Sequence, residues 1–194
     1  MNLRAIVIFP FVATVTFCQT SARENPSPDD ARVFVSNLYT QVVARKPLDV
    51  PSGENWKIFA TYFSKTLSRR LDTYRACMAN WARQYPNTTD KPPGLIEFDI
   101  FSGSNEEADP ISFDVEKAQT ERDGSIRVFV RLRWQEGTDT LIWRVADLLT
   151  RENGRLVLDD VVFLKDPTRP NEVDTSLSKL LKDGCDGTHW IGYR

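Results

Sequence analysis

Two periodicities divide the chain. Between residues 27 and 85 apolar side chains recur every three or four positions, the spacing of one helix face. Beyond residue 95 they alternate with polar ones, as on a half-buried strand. Ser27, Pro28 and Asp30 predict a helix start, with a capping hydroxyl, proline at the first helical position and acid in the first turn. Ala31, Phe34, Val35, Leu38 and Val42 then form one stripe, which Lys46-Pro47 ends. After a turn at Pro51-Ser52-Gly53 a short helix is expected around residues 55–59. Ser64 caps a longer helix, whose seam is Leu67, Leu71, Tyr74, Met78, Trp81 and Tyr85 with Cys77 beside it. Residues 86–94 read as a proline-rich loop and contain the glycosylation sequon Asn87-Thr88-Thr89.

Strands are expected at 95–101, 111–120, 125–134, 140–150 and 155–165. They are joined by hairpin turns at Asp123-Gly124, near Gly137 and at Asn153-Gly154. Asp174 is placed to cap a last short helix with Leu177, Leu180 and Leu181 inward, before Gly184. Helices first and a meander afterwards predict a single α+β domain, helices packed on one face of a curved antiparallel sheet.

Short turns set register, so cross-strand neighbours follow from the numbering. Asn153-Gly154 puts Leu149 opposite Leu158, Asp147 opposite Asp160, Val145 opposite Val162 and Trp143 opposite Leu164. The Gly137 turn pairs Trp134 with Leu141, Leu132 with Trp143, Val130 with Val145 and Val128 with Asp147. The Asp123-Gly124 turn pairs Gln119 with Val128. One inward row therefore reads Gln119, Val128, Asp147, Asp160, with Trp143 nearby, and a polar row within an apolar concave face suits a pocket floor. Two opposed carboxylates would repel, and one would hold its proton, which could serve general-acid chemistry. The alternative is structural: one acid caps a helix or pairs with a base, or a bulge turns one outward. On the opposite face Phe129, Ala146, Val161 and Phe163, with Ile142 and Leu148 nearby, form an apolar patch through which a homodimer could assemble.

The first residues set the compartment. Arg4 precedes an apolar run over residues 5–17, too short to span a bilayer, and Thr20-Ser21-Ala22 offers a cleavage site. The expectation is a signal peptide over residues 1–22, and periplasmic or secreted residence for one domain over 23–194. A lipoprotein alternative would acylate Cys18, but Phe17 stands where a small residue is needed. After cleavage Cys77 and Cys185 remain, which in an oxidising compartment read as a disulfide; two unrelated buried thiols are the alternative.

The net charge of −2, without any basic run, argues against nucleic acid or an anionic membrane as the main partner. One histidine (His189), no glycine-rich phosphate loop and no calcium-loop spacing leave no cofactor or metal site to predict.

The order of elements, the segment Asn153-Gly154-Arg155-Leu156-Val157-Leu158-Asp159-Asp160-Val161 and the tail Leu181-Lys182-Asp183-Gly184-Cys185 resemble bacterial exported proteins of domain-of-unknown-function family 3828, in the nuclear-transport-factor-2-like superfamily. The family usually has an aromatic residue where this chain has Leu156. The resemblance, over about residues 30–185, implies a cone of curved sheet wrapped by helices, a pocket in its mouth and dimers through the sheet. Superfamily members include isomerases and dehydratases that use Asp, Tyr or His, and many proteins without catalysis; the family brings no assigned activity. The leading expectation is an exported envelope or periplasmic binding module for a small molecule or an envelope protein. The alternatives are a small lyase or isomerase using Asp147 and Asp160, and an immunity or inhibitor protein.

Overall fold

A computed structural model describes residues 27–92, 94–105, 108–165, 173–183, 185, 186, 189 and 190, the last three of these by backbone alone. The expected signal segment, the Pro167 and Pro170 turn, Gly184 and the side chain of His189 lie outside the described residues.

The helices form where their caps and stripes place them. Helix α1 spans Pro28–Arg45, and its start is a reciprocal capping box. The Ser27 hydroxyl accepts from the Asp30 N–H, and the Asp30 carboxylate accepts from the Ser27 N–H. Lys46 ends it in the left-handed conformation. Its buried face is Ala31, Val35, Leu38, Tyr39 and Val42. Helix α2 is Gly53–Phe59, and α3 is Lys65–Gln84, capped by the Ser64 hydroxyl on the Leu67 N–H at 2.8 Å. Leu67, Leu71, Tyr74 and Cys77 are buried in α3; Met78 and Trp81 are half-buried and Tyr85 is exposed, so the seam leaves the core in its last turns.

Strands β1 (Ser112–Thr120), β2 (Ile126–Glu136), β3 (Asp139–Glu152) and β4 (Arg155–Phe163), with the two-residue β5 (Thr175–Ser176), make a curved, unclosed antiparallel sheet in sequential order. Helix α4 (Leu177–Leu180) follows directly, then the short hairpin of β6 (Cys185–Asp186) and β7 (His189–Trp190). The cap of α4 is Ser176, not Asp174; the Asp174 carboxylate accepts from the Lys165 N–H at 2.9 Å instead. The architecture is α+β, as the periodicities predict. Cys77 and Cys185 form a disulfide that ties α3 to the end of the described chain.

Residues 95–101 are not a strand. Ile96, Ile100 and Phe101 are buried, which accounts for the apolar alternation, but their backbone groups are satisfied locally. The Ile96 N–H donates to the Tyr74 hydroxyl at 2.7 Å. The Asp99 carboxylate accepts from the N–H groups of Phe101 and Ser102. The Asp99 N–H and C=O bond the Ser104 C=O and the Gly103 N–H.

The Gly137 hairpin has the expected register throughout, including Leu132 opposite Trp143 and Val128 opposite Asp147. The other two hairpins each slip by one position. At the first, Asp123 Oδ1 accepts from both the N–H and the hydroxyl of Ser125 and draws that residue into the turn. Ala118 then faces Val128, and Gln119 faces Arg127 with its side chain exposed. At the Asn153-Gly154 hairpin Leu149 does face Leu158, but a bulge follows. Asp160 faces Leu148, Val161 faces Asp147, and Phe163 rather than Val162 faces Val145.

The bulge has an external cause. The segment before α3 lies along Leu158: the Leu158 N–H donates to the Tyr62 C=O, and the Ser64 N–H donates to the Leu158 C=O. The Ser64 hydroxyl donates to Asp159 Oδ1 at 2.6 Å. Asp159 is held there and becomes the extra residue. The inward row is Ala118, Val128, Asp147, Val161. Val161 is buried in the core and Phe163 stands edge-on to Phe98 at 5.4 Å, so neither belongs to the outer patch. That patch is Phe129, Ala146, Leu148 and Val162, with Ile142 nearby.

Candidate functional site

Of the two carboxylates expected to oppose each other, only Asp147 lies at the core. Asp160 Oδ1 accepts from its neighbour Val161 and from the Ser178 N–H in the first turn of α4, both at 2.9 Å. It holds α4 against β4, the structural role considered above. The opposed acid couple does not form, because the Asp159 bulge separates its members.

Asp147 is fully buried, 0% exposed, beneath residues 98–104. Its Oδ1 lies 3.1 Å from the Tyr39 hydroxyl, which donates to the Phe101 carbonyl at 2.8 Å; its Oδ2 has no hydrogen-bond partner. Burial pushes the Asp147 carboxyl up to about 8, against the Tyr39 hydrogen bond and helped by the charge of Asp99. Burial and these acids also push Tyr39 well above the ordinary phenol range. Tyr39 has one proton to give. A protonated Asp147 can donate to the Tyr39 oxygen and leave that proton on Phe101, so both contacts are satisfied only with the acid neutral.

Asp99 sits in the same layer, 1% exposed. Burial raises its carboxyl to about 7 against donors that pull it down: the Ser102 hydroxyl at 2.5 Å and the N–H groups of Phe101 and Ser102. The Ser102 and Ser104 hydroxyls lie 2.6 Å apart and extend the network. Phe101 plugs the loop into the core, its ring centroid 4.6 Å from that of Phe59. Neither Asp147 nor Asp99 reaches a cleft.

The concave feature of this end of the sheet lies on the other side of residues 98–104. Strand β3 is longer than β4, so where β4 ends at Phe163 a cleft of about 850 Å³ opens beside residues 141–145. Trp143, Val145, Phe163 and Phe98 make it apolar, Ser102 and Gly103 form one wall, and Arg131, Arg144 and Lys165 stand at its rim. Both arginines are paired on the sheet's outer face, Arg131 with Asp114 at 2.7 Å and Arg144 with Glu116 at 3.1 Å, so the rim is close to charge-balanced. A smaller cleft of about 410 Å³ shares Phe98, Gly103, Leu141 and Trp143 with it. The Trp143 indole N–H donates to the Ser102 carbonyl at 2.8 Å, fixing the ring against the loop.

Gly103 is required here. Its φ is +72°, and a Cβ at that position would lie 2.8 Å from Cδ1 of Phe163.

Of the residues expected at a pocket, Trp143 lines the cleft; Val128 and Asp147 are core, Gln119 is exposed and Asp160 holds α4. Periodicity does not reveal Phe98, Asp99, Ser102 or Gly103, because it reads their segment as a strand. The composition of Asp99 followed by Ser102-Gly103-Ser104 is that of a side-chain-closed turn and is the available signal. Tyr39 lies four residues after Val35 on the α1 stripe. Among the described residues no three His, Cys, Asp or Glu side chains come together as a metal-binding group, and no helix is long and apolar enough to cross a membrane. No family model, curated protein or solved structure matches this chain.

Proposed function

We propose that the protein is an exported binding module and that the cleft beside β3 is its binding site. The observation that carries this reading is the cleft itself: an apolar floor of Trp143, Val145 and Phe163 with a volume in the range of ligand sites. Its wall is a loop held by a buried polar network and by the Trp143 indole. The disulfide supports an oxidising compartment, and the apolar run over residues 5–17 supports export to it. The resemblance to domain-of-unknown-function family 3828 points in the same direction, toward an envelope protein with a cavity at the open end of its sheet. A lyase or isomerase reading loses its acid–base pair, since Asp160 is committed to α4 and Asp147 reaches no cleft.

The test is a fragment screen by NMR with small aromatic and aliphatic carboxylates, amides and alcohols, read on the tryptophan indole N–H signals. Trp143 is expected to shift with the fragments that bind, and Trp143→Ala to abolish their binding while the fold is kept. Fragments that shift no residue of the cleft would sink the proposal.

A second reading, self-association through the sheet's outer face, has one observation in its favour. Ala146 is fully buried there among half-buried Phe129, Leu148 and Val162, an apolar centre outside the main core. Sedimentation is expected to show a dimer that Ala146→Glu dissociates; a monomer at every concentration removes this reading.

A further inference from the structure

Among the described residues, the edge of β3 that runs past the end of β4 meets no backbone partner. In an antiparallel strand the N–H and C=O of alternate residues point to the same side. The Arg144 carbonyl accepts from the Leu164 N–H at 3.3 Å, which fixes the side of β3 that looks toward β4. Two and four residues earlier, Ile142 and Thr140 present their N–H and C=O groups to that same side. The β3–β4 ladder ends at the Val145–Phe163 pair, and no backbone bond of the described residues meets them. The Lys165 N–H, on the side of β4 away from β3, goes to the Asp174 carboxylate.

Edge strands are usually blunted by an inward charge, a proline or a covering element. This one carries Leu141 and Ile142, 47% and 58% exposed, and the cleft runs alongside it.

We infer that the cleft takes an extended peptide segment of another protein, which adds as a strand to the free edge of β3 at Thr140 and Ile142 and places alternate apolar side chains on Trp143 and Phe163. The inference rests on the proposed function and names its ligand class. Three features of the site carry it. Donors and acceptors two residues apart along a line are the complement of an extended backbone, whereas a compact small molecule would leave part of the row unmet. The floor beneath that row is apolar and aromatic, which suits side chains at every second position of the incoming strand. The nearby arginines are already paired with Asp114 and Glu116, so no strong charge of the peptide is demanded.

The experiment uses the disulfide-intact protein and a display library of eight-residue peptides, with amide hydrogen exchange as the direct readout. In the free protein the Ile142 N–H is expected to exchange at least about tenfold faster than that of Val145, which faces β2 within the β2–β3 ladder. Selected peptides are expected to carry apolar residues at alternate positions and to slow Ile142 exchange at least tenfold. N-methylation of the peptide's strand-pairing amides is expected to weaken binding by about tenfold or more, since each lost hydrogen bond is worth roughly twofold to tenfold.

If the selected peptides bind equally well when N-methylated, and Trp143→Ala still abolishes binding, the cleft is a binding site but strand addition is wrong. If neither peptides nor the fragments bind, the inference and the proposed function fail together. Ile142 already protected in dilute free protein overturns the free edge. Protection that appears only as protein concentration rises overturns the foreign peptide in favour of a second copy.

Discussion

Replacing Cys77 and Cys185 together by alanine is expected to lower the unfolding free energy by roughly 4–5 kcal/mol, read as a fall in the urea midpoint at fixed pH. The two cysteines are separated by 108 positions, and linking them removes from the unfolded chain most of the freedom a loop of that length has. Domains of this size have about 5–15 kcal/mol of net stability, so the loss would consume a large part of it. The bond has a local role as well. It fixes Cys185 to the middle of α3, where Cys77 is fully buried, and so adds a covalent tie to those that hold α4 near the sheet, among them the Asp160 carboxylate on the Ser178 N–H. Leu177 and Leu181 enter the core, and Arg70 donates to the Ser178 hydroxyl at 2.5 Å. The variant is therefore expected to lose protection first in residues 173–183, while β2 and β3 keep theirs. A midpoint within error of the parent, with m unchanged, would mean that packing of α4 alone holds this end and that the unfolded chain gains nothing from release.

What could be read from the chain follows from which interactions are local. Helices α1 and α3 are legible because cap and stripe lie within a few turns of one another: Ser27 with Asp30, and Ser64 with Leu67. The Gly137 hairpin is legible because its pairing runs from the turn to Ile126 without a bulge. The Asn153-Gly154 hairpin fails one residue beyond Leu158, because Tyr62 and Ser64, nearly a hundred positions earlier, claim the Leu158 backbone and the Asp159 carboxylate. No count of turn residues contains that contact. One slip of this kind exchanges the faces of everything after it, and so it moves Asp160 to α4 and Val161 and Phe163 to the core side. The cleft was illegible for a related reason: it depends on β4 ending at Phe163 while β3 begins as early as Asp139, an offset that no turn residue signals.

Stability is expected to fall as pH rises from about 5 to 8, and Asp147→Asn is expected to remove much of that fall. Asp147 holds its proton to about pH 8 in the folded protein and releases it near 3.8 when unfolded. The folded state therefore binds more protons between those values. The contribution of this group is complete below about pH 4 and is lost as pH rises through the folded pKa, at roughly 1.4 kcal/mol per pH unit. Asp99, raised to about 7, acts with the same sign and levels off earlier. Over three units Asp147 alone accounts for roughly 4 kcal/mol, and the asparagine variant, which cannot ionise, should be the more stable protein at pH 8 by an amount of that order. The exposed acids work in the opposite direction. Asp30, Glu121 and Asp123 are held below their ordinary values by hydrogen bonds from Ser27, Arg127 and Ser125, so their contribution is lost as pH falls below about 4. Maximum stability should lie on the mildly acid side, between the two effects. The cleft should feel the change too. Once Asp147 ionises, the single Tyr39 proton must serve either the carboxylate or the Phe101 carbonyl. The loop that carries Ser102 then loosens against Trp143. Amide exchange at Phe101, Ser102 and Gly103 is expected to quicken between pH 7 and 9 beyond the intrinsic dependence in the parent and not in the variant. A stability curve flat from pH 5 to 8, or identical curves for the two proteins, would show that Asp147 is ionised in the folded state and that the polar layer under the loop does not depend on its proton.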